Sequence, residues 1–232
     1  MYEKWKGVHT RCAFNMIQEL IPLTRPRTLA AALGPTILGA AFSYYAFGAA
    51  QGTGLAILHT VLIFLAVVTA QIVANLWNEY KDFKSGLDAG QKVGNAGSIT
   101  RGVITPELII TMIKVLMFVP IIIGLYLSAT ITWYYIPVGF LCILISFLYS
   151  GGPKPISRTP FGEISSGIAM GFAIVLITGY AWIRELSLAL LIPAIPSTLL
   201  VGSIMLTNNI RDIRNDESHG RHTLPIVLGR ER

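Results

Sequence analysis

Charge is what this sequence is shortest of. Asp, Glu, Lys and Arg make up 13% of its 232 residues, about half the roughly 25% of an ordinary soluble domain. With 53% hydrophobic residues and a mean hydropathy of +0.61, that shortage excludes a soluble globular enzyme. Cysteine is nearly absent as well: Cys12 lies close to the N-terminus and Cys142 inside an apolar run, so no disulfide framework is expected. The opening MYEKWKGVHTRCAFNMIQEL lacks a short apolar core followed by a small-residue cleavage site. It reads as an interfacial lead-in, not a signal peptide. The net charge of +6 comes with no aromatic-rich basic face and no nucleic-acid motif, so nucleic acid is not an expected partner. The glycine-rich stretch 86–102 lacks the GK[ST] ending of a P-loop, which argues against ordinary nucleotide hydrolysis.

What the sequence does have is long apolar runs, each near the ~20 residues that cross a bilayer as helix. Six are expected: Leu29–Phe47, Leu55–Leu76, Pro106–Leu127, Trp133–Tyr149, Ile164–Trp182 and Leu186–Thr207. The fold class is therefore all-α, a polytopic transmembrane helix bundle in a single domain spanning residues 1–232. Thr28 is the expected N-cap of the first span, and Pro193 and Pro196 are expected to kink the sixth. Gly167 and Gly171, four residues apart, read as a close helix contact. Trp5, Trp133, Tyr134, Tyr135 and Trp182 read as interfacial anchors.

Lys and Arg are placed on one side. If the N-terminus is cytoplasmic, the loops after spans two, four and six are cytoplasmic too. Those loops and the N-terminus then hold every Lys and Arg except Lys114, inside a span, and Arg184, in an opposite turn. The reading is a multi-pass protein of a prokaryotic cell membrane with its N-terminus in the cytoplasm.

Two polar stretches interrupt this apolar chain, and they share a layout. QIVANLWNEYKDFKSGLD (71–88) and MLTNNIRDIRNDESHG (205–220) align with a constant offset of 134: Asn75, Asn78, Asp82 and Gly86 match Asn209, Asp212, Asp216 and Gly220. In each copy the polar residues recur at i, i+3 and i+7, one face of a helix. Six of the twelve acids fall here: Glu79, Asp82, Asp88, Asp212, Asp216 and Glu217. Solvated helix ends would explain any one of them, but not two equivalent copies with asparagines in matching places. Ionisable groups at a bilayer boundary default to a functional reading.

If the two helices pack together, their carboxylates face one another. Like charges about 4 Å apart repel by roughly 4 kcal/mol at an effective dielectric near 20. The acids then protonate or hold a multivalent cation between them. Carboxylate and amide oxygens select Mg²⁺ over zinc; His219 and His222 read as solvated loop residues. Magnesium held by acids keeps positions open for phosphate oxygens. The nearby Lys81, Lys84, Arg101, Arg211, Arg214 and Arg221 suit a diphosphate. A diphosphate at a membrane boundary, joined to something lying among apolar helices, fits an isoprenoid diphosphate.

The pair NLWNEYKDFKSGLD and NNIRDIRNDESHGRHTLPIVLG resembles the two Asp-rich motifs of the UbiA superfamily of intramembrane prenyltransferases. TRPRTLAAALGP, GSITRGVIT and SGGPKPISRTPFGE resemble its branch that prenylates 1,4-dihydroxy-2-naphthoate for menaquinone. The resemblance covers nearly the whole chain. It implies that Asn78, Asp82, Asp212 and Asp216 bind Mg²⁺ bridging a prenyl diphosphate, with Asn75, Asp88 and Asn209 in support. Arg211 joins the substrate-binding set. Arg101, Lys154 and Arg158 either contact the diphosphate or the carboxylate of the aromatic acceptor, or only set membrane orientation.

Three departures stand out. Glu79 replaces the Asp usual in the family, and Lys154 falls one position late for a Tyr-x-x-x-Lys motif from Tyr149. The family has nine spans, so the last three helices are expected to be missing here. Two other classes stay open, a secondary transporter and a non-catalytic membrane protein. A transporter would place its polar site at the midplane, not at one face. Prenyl chain length and oligomeric state are not readable from the residues.

Overall fold

The computed structural model describes residues 20–86 and 98–229. Trp5, Cys12, the N-terminal lead-in, Asp88 and most of the glycine-rich loop lie outside the described residues. Among the described residues every regular element is helical. The main helices are α1 (Ala30–Phe47), α2 (Thr53–Ser85), α3 (Pro106–Thr130), α4 (Tyr135–Ser150), α5 (Gly162–Ile183) and α6 (Leu191–Arg211). Two short helices follow, α7 (Ile213–Ser218) and α8 (Leu224–Leu228).

Five of the six expected spans are long and apolar enough to cross a membrane. The fourth, α4, has 16 residues, which at 1.5 Å each is about 24 Å, short of a ~30 Å hydrocarbon core. By the same arithmetic α2, with 33 residues, runs about 50 Å and overshoots that core. One unbroken helix thus holds both a membrane-length apolar stretch and the first polar motif.

Local signals explain the helix ends. Pro106 sits in the first turn of α3, and the Thr105 hydroxyl caps it by accepting from the Leu108 amide at 3.2 Å. Gly86 closes α2 at φ 76°, a left-handed conformation that glycine adopts without a Cβ penalty. Thr28 does not cap α1: it lies inside a 3₁₀ turn, Pro26–Leu29, and donates its hydroxyl to the Arg25 carbonyl. Pro193 sits in the first turn of α6, where its missing N–H breaks no helical bond, so only Pro196 lies inside the helix proper.

Close backbone approach holds α1, α5 and α6 together. A Cβ on Gly39 would come 2.8 Å from the Val175 carbonyl, and one on Gly167 or Gly171 would meet Thr198 at 2.6 Å. The Gly167/Gly171 pair is thus the expected helix contact. Gly167–Phe172 is a π-helical turn, which widens α5 opposite Thr198. On the other side α2 packs against α3 around Val73, Leu76, Ile109 and Ile113, and Ile99 and Ile104 of the incoming loop seal that cluster.

Two expected anchors are instead interior. Tyr135 donates its hydroxyl to the Ile177 carbonyl at 2.7 Å, and the Trp182 indole donates to Thr60 at 2.8 Å. Both rings carry a polar tip, and a partner inside the bundle satisfies it as well as interfacial water would. Trp133 and Tyr134 are exposed, as anchors should be. Arg184, at the opposite end from the acids, donates to the Thr130 carbonyl and to Gln51, tying three turns together.

Candidate active site

The first motif rides the last three turns of α2. Asn75 donates its side-chain amide to the Thr24 carbonyl at 3.0 Å, and Gln71, a turn earlier, donates to Thr28. These bonds pin the segment before α1 against α2. Glu79 is buried and accepts from the Ser98 amide at 2.7 Å, while Arg101 reaches the Ser98 hydroxyl at 3.1 Å. Glu79 and Arg101 therefore fasten the 98–102 turn onto the first motif. Asn78 is half-buried beside them.

The second motif crosses a helix break. Helix α6 ends at Arg211, Asp212 sits between helices at φ −96° and ψ 8°, and α7 carries Asp216. Asp212 is half-buried, and both oxygens of its carboxylate accept from the neighbouring Arg211 guanidinium, at 2.9 and 2.8 Å. Asp216 turns inward and is buried. Asn209 donates to Glu163 Oε1 at 2.8 Å.

The two motifs meet at one guanidinium. Arg221 lies 3.2 Å from Asp82 Oδ1 through one nitrogen and 3.2 Å from Asp216 Oδ1 through another. Residues 134 positions apart thus come within reach of a single side chain, with Arg25 and Arg158 close enough to act on Asp82 electrostatically. Burial pushes the Asp216 carboxyl above the usual carboxylate range. Arg221 opposes that rise, Asp212 and Asp82 reinforce it, and His219 opposes it slightly.

Of the expected site residues, Asp82 and Asp216 converge on Arg221, Asn75 and Asn209 are turned to Thr24 and Glu163, Asn78 is half-buried on the first motif, and Asp212 with Arg211 stands at the rim. Arg158 belongs to the group, and its carbonyl accepts from the His222 amide at 3.0 Å, docking the basic loop on the second motif. Lys154 is exposed on that loop and is not brought to the acids. His219 is exposed, as expected.

Three residues matter more than their sequence signal suggested. Arg221 was one cation among six, and only the fold shows that it joins the motifs. Arg25 lies in the TRPRT stretch and adopts φ 50°, a left-handed backbone rare for a non-glycine residue. Glu163 ends SGGPKPISRTPFGE, yet as a single acid after a proline-rich loop it carried no spacing signal.

The donor set fits magnesium. Among the described residues no three acid, His or Cys side chains converge as a closed metal cage. Mg²⁺ does not need one: it takes one or two carboxylates and fills its remaining positions with water and substrate phosphate. Asp82 and Asp216 would offer the two carboxylates, and asparagine side chains of the two motifs carry hard amide oxygens.

The fold is thus an all-helical bundle of membrane-length helices in which two separated acidic motifs meet at one guanidinium. The chain belongs to the UbiA prenyltransferase family, whose family model matches residues 32–232. It is 38% identical to the 1,4-dihydroxy-2-naphthoate octaprenyltransferase of Bacillus subtilis (strain 168), over 93% of this chain and 67% of that protein. It is 30% identical to the enzyme of the same name from Escherichia coli (strain K12), over 95% of this chain and 71% of that protein. In fold it resembles a UbiA homologue from Archaeoglobus fulgidus bound to DMAPP and Mg²⁺. The TM-score there is 0.68 at 18% identity, covering 92% of this chain and 70% of that one.

Proposed function

We propose that this chain transfers a polyprenyl group from an isoprenoid diphosphate to 1,4-dihydroxy-2-naphthoate in menaquinone biosynthesis, with Mg²⁺ as the required ion. The observation that carries the reading is the convergence of Asp82 and Asp216 on Arg221, 3.2 Å from each. Asp82 and Asp216, with Asn78 one turn before Asp82 and Asp212 one turn before Asp216 in the chain, are the residues that would hold the metal. When bound, the ion supplies Lewis-acid neutralisation of the leaving diphosphate.

The chain's own residues do the rest. Arg221, Arg25 and Arg158 present guanidinium groups that match phosphate oxygens in geometry and charge. Arg211 and Arg101 extend that cationic rim. Asn75 holds the pre-α1 segment, and with it Arg25, against α2. The C–O bond to the diphosphate breaks, and the pair of electrons leaves with the phosphate. The allylic cation forms among apolar helices that keep water from quenching it. A carbon of the electron-rich ring attacks, a C–C bond forms, and the ring carboxyl departs as CO₂. The acids lie at helix ends and not at mid-span, and with the Lys and Arg bias this supports a reaction at the cytoplasmic face.

The test is incubation of membranes carrying the chain with labelled prenyl diphosphates and a panel of aromatic acceptors. Transfer to 1,4-dihydroxy-2-naphthoate that stops with EDTA and returns with Mg²⁺ is the expected result. Turnover that resists EDTA removes the metal requirement, and transfer to another ring only removes the acceptor.

A further inference from the structure

Four acidic residues are buried among the described residues: Glu79, Asp82, Glu163 and Asp216. Three are accounted for, Glu79 by the Ser98 amide and Asp82 and Asp216 by Arg221. Glu163 differs. It is 4% exposed, its Oε1 accepts from Asn209 at 2.8 Å, and its buried Oε2 has no hydrogen-bond partner among the described residues. A buried carboxylate oxygen without a donor is costly, and such a group in a native fold asks for an explanation.

Its surroundings place it beside the reaction. Asn209 is the first residue of the second motif, one turn before Asp212. The Tyr149 hydroxyl stands 3.6 Å from where a Cβ on Gly162 would be, and Tyr149 is within electrostatic reach of both Glu163 and Arg221. Helix α5 turns π-helical at Gly167, four residues after Glu163. Such turns re-aim the side chains around them and are frequent at functional sites.

We infer that Glu163 binds the aromatic acceptor, with Oε1 fixed by Asn209 and Oε2 accepting a hydrogen bond from a ring hydroxyl. The assignment rests on the prenyl-transfer reading. It follows from what each reactant offers: the diphosphate presents acceptor oxygens and the prenyl chain hydrocarbon, so a lone carboxylate oxygen suits neither. A phenolic O–H is the donor it needs. A hydroxyl held by a carboxylate also keeps electron density on the ring, which favours attack by a ring carbon on the allylic cation.

The test is a cycle on the purified full chain in lipid nanodiscs. Equilibrium binding of 1,4-dihydroxy-2-naphthoate and of its two mono-O-methyl ethers is measured for the unmodified protein and for Glu163→Gln. The unmodified protein should favour the free hydroxyl over one of the ethers by roughly 10- to 100-fold, the range of a hydrogen bond to a charged group. Glu163→Gln keeps an acceptor for Asn209 and should lose most of that preference, with KM for the prenyl diphosphate unchanged. Glu163→Asp, which keeps the charge but withdraws it, should fall between. Unaltered discrimination in Glu163→Gln overturns the assignment, as does weakened Mn²⁺ binding in the absence of acceptor, which would make Glu163 a metal ligand. Unfolding of both variants overturns it too, by giving Glu163 to the fold. If the unmodified protein prenylates no aromatic acceptor, the underlying reading fails. Turnover with an intact hydroxyl preference in Glu163→Gln removes Glu163 alone.

Discussion

The two acidic motifs have the same spacing and different geometry. In the first, Asn75, Asn78 and Asp82 ride one continuous helix, so their common face is kept to the last residue. In the second, the helix breaks at the middle position, leaving Asp212 on the rim with Arg211 while Asp216 turns inward. Side-chain exposure states the difference: 47% for Asp212 against 4% for Asp216. A repeat in sequence fixes which residues can share a face. Whether they do depends on where the helix stops.

The largest test of that comparison is at the convergent pair. Asp82→Ala and Asp216→Ala should each lower prenyl transfer by roughly 10²–10³-fold, the scale for losing a group aimed at developing charge, with membrane insertion intact. Asp212→Ala should cost less in the same radiolabel assay, because its carboxylate is already held by Arg211 at the exposed edge. Equal losses at positions 212 and 216 would break the comparison and make the rim carboxylate a full partner.

Arg221 gives the next effect. Its side chain is 15% exposed and serves two carboxylates that are nearly buried. Breaking such a pair from one side costs about 3–5 kcal/mol. Arg221→Ala should therefore melt well below the unmodified protein in EDTA, as read by scanning fluorimetry in detergent. Added Mg²⁺ should recover much of the loss by taking over the neutralising role. A variant that melts normally in EDTA would mean that the acids are not coupled through this side chain.

How far the residues alone reached follows from the same contrast. Hydrophobic run length set the membrane class and five of the spans, because a bilayer sets a minimum apolar length for a helix that crosses it. It was less informative about α4, where 16 residues follow a turn, 131–134, that is itself largely apolar. The i, i+3, i+7 pattern located Asp82 and Asp216, since helical periodicity is local. It was blind to the break at Asp212 and to Arg221 as the joint, because both depend on how α7 folds back toward α2. Glu163 was invisible for another reason: its significance lies in a missing donor, which only packing reveals. Tyr135 and Trp182 looked interfacial because interior partners such as Ile177 and Thr60 are remote in sequence.

A smaller effect is expected in pH. The Asp216 carboxyl is raised, chiefly by burial, so the folded state binds its proton more tightly than the unfolded chain does. By linkage, the stability from this group is full below the unfolded value and is lost as pH rises through the folded one. Metal binding has the opposite sign, since the ion needs the carboxylate. Mn²⁺ affinity should therefore weaken on acidification at a higher pH than an unperturbed carboxylate would allow. Asp216→Asn should remove that component from an affinity–pH titration.

The smallest effect returns to the repeat itself. Gly86 and Gly220 are matched in sequence, and both adopt positive φ, 76° and 67°. A Cβ at either would meet nothing within 4 Å, so an alanine there is opposed by backbone conformation alone. Gly86→Ala and Gly220→Ala should each destabilise the protein by about 1–2 kcal/mol, the cost of a left-handed conformation for an L-residue. The two values should agree closely, because each glycine ends its own motif in the same way. A marked inequality would mean that the offset of 134 between the two stretches relates their side chains without relating their backbones. The second motif would then be an independent solution to the same electrostatic problem.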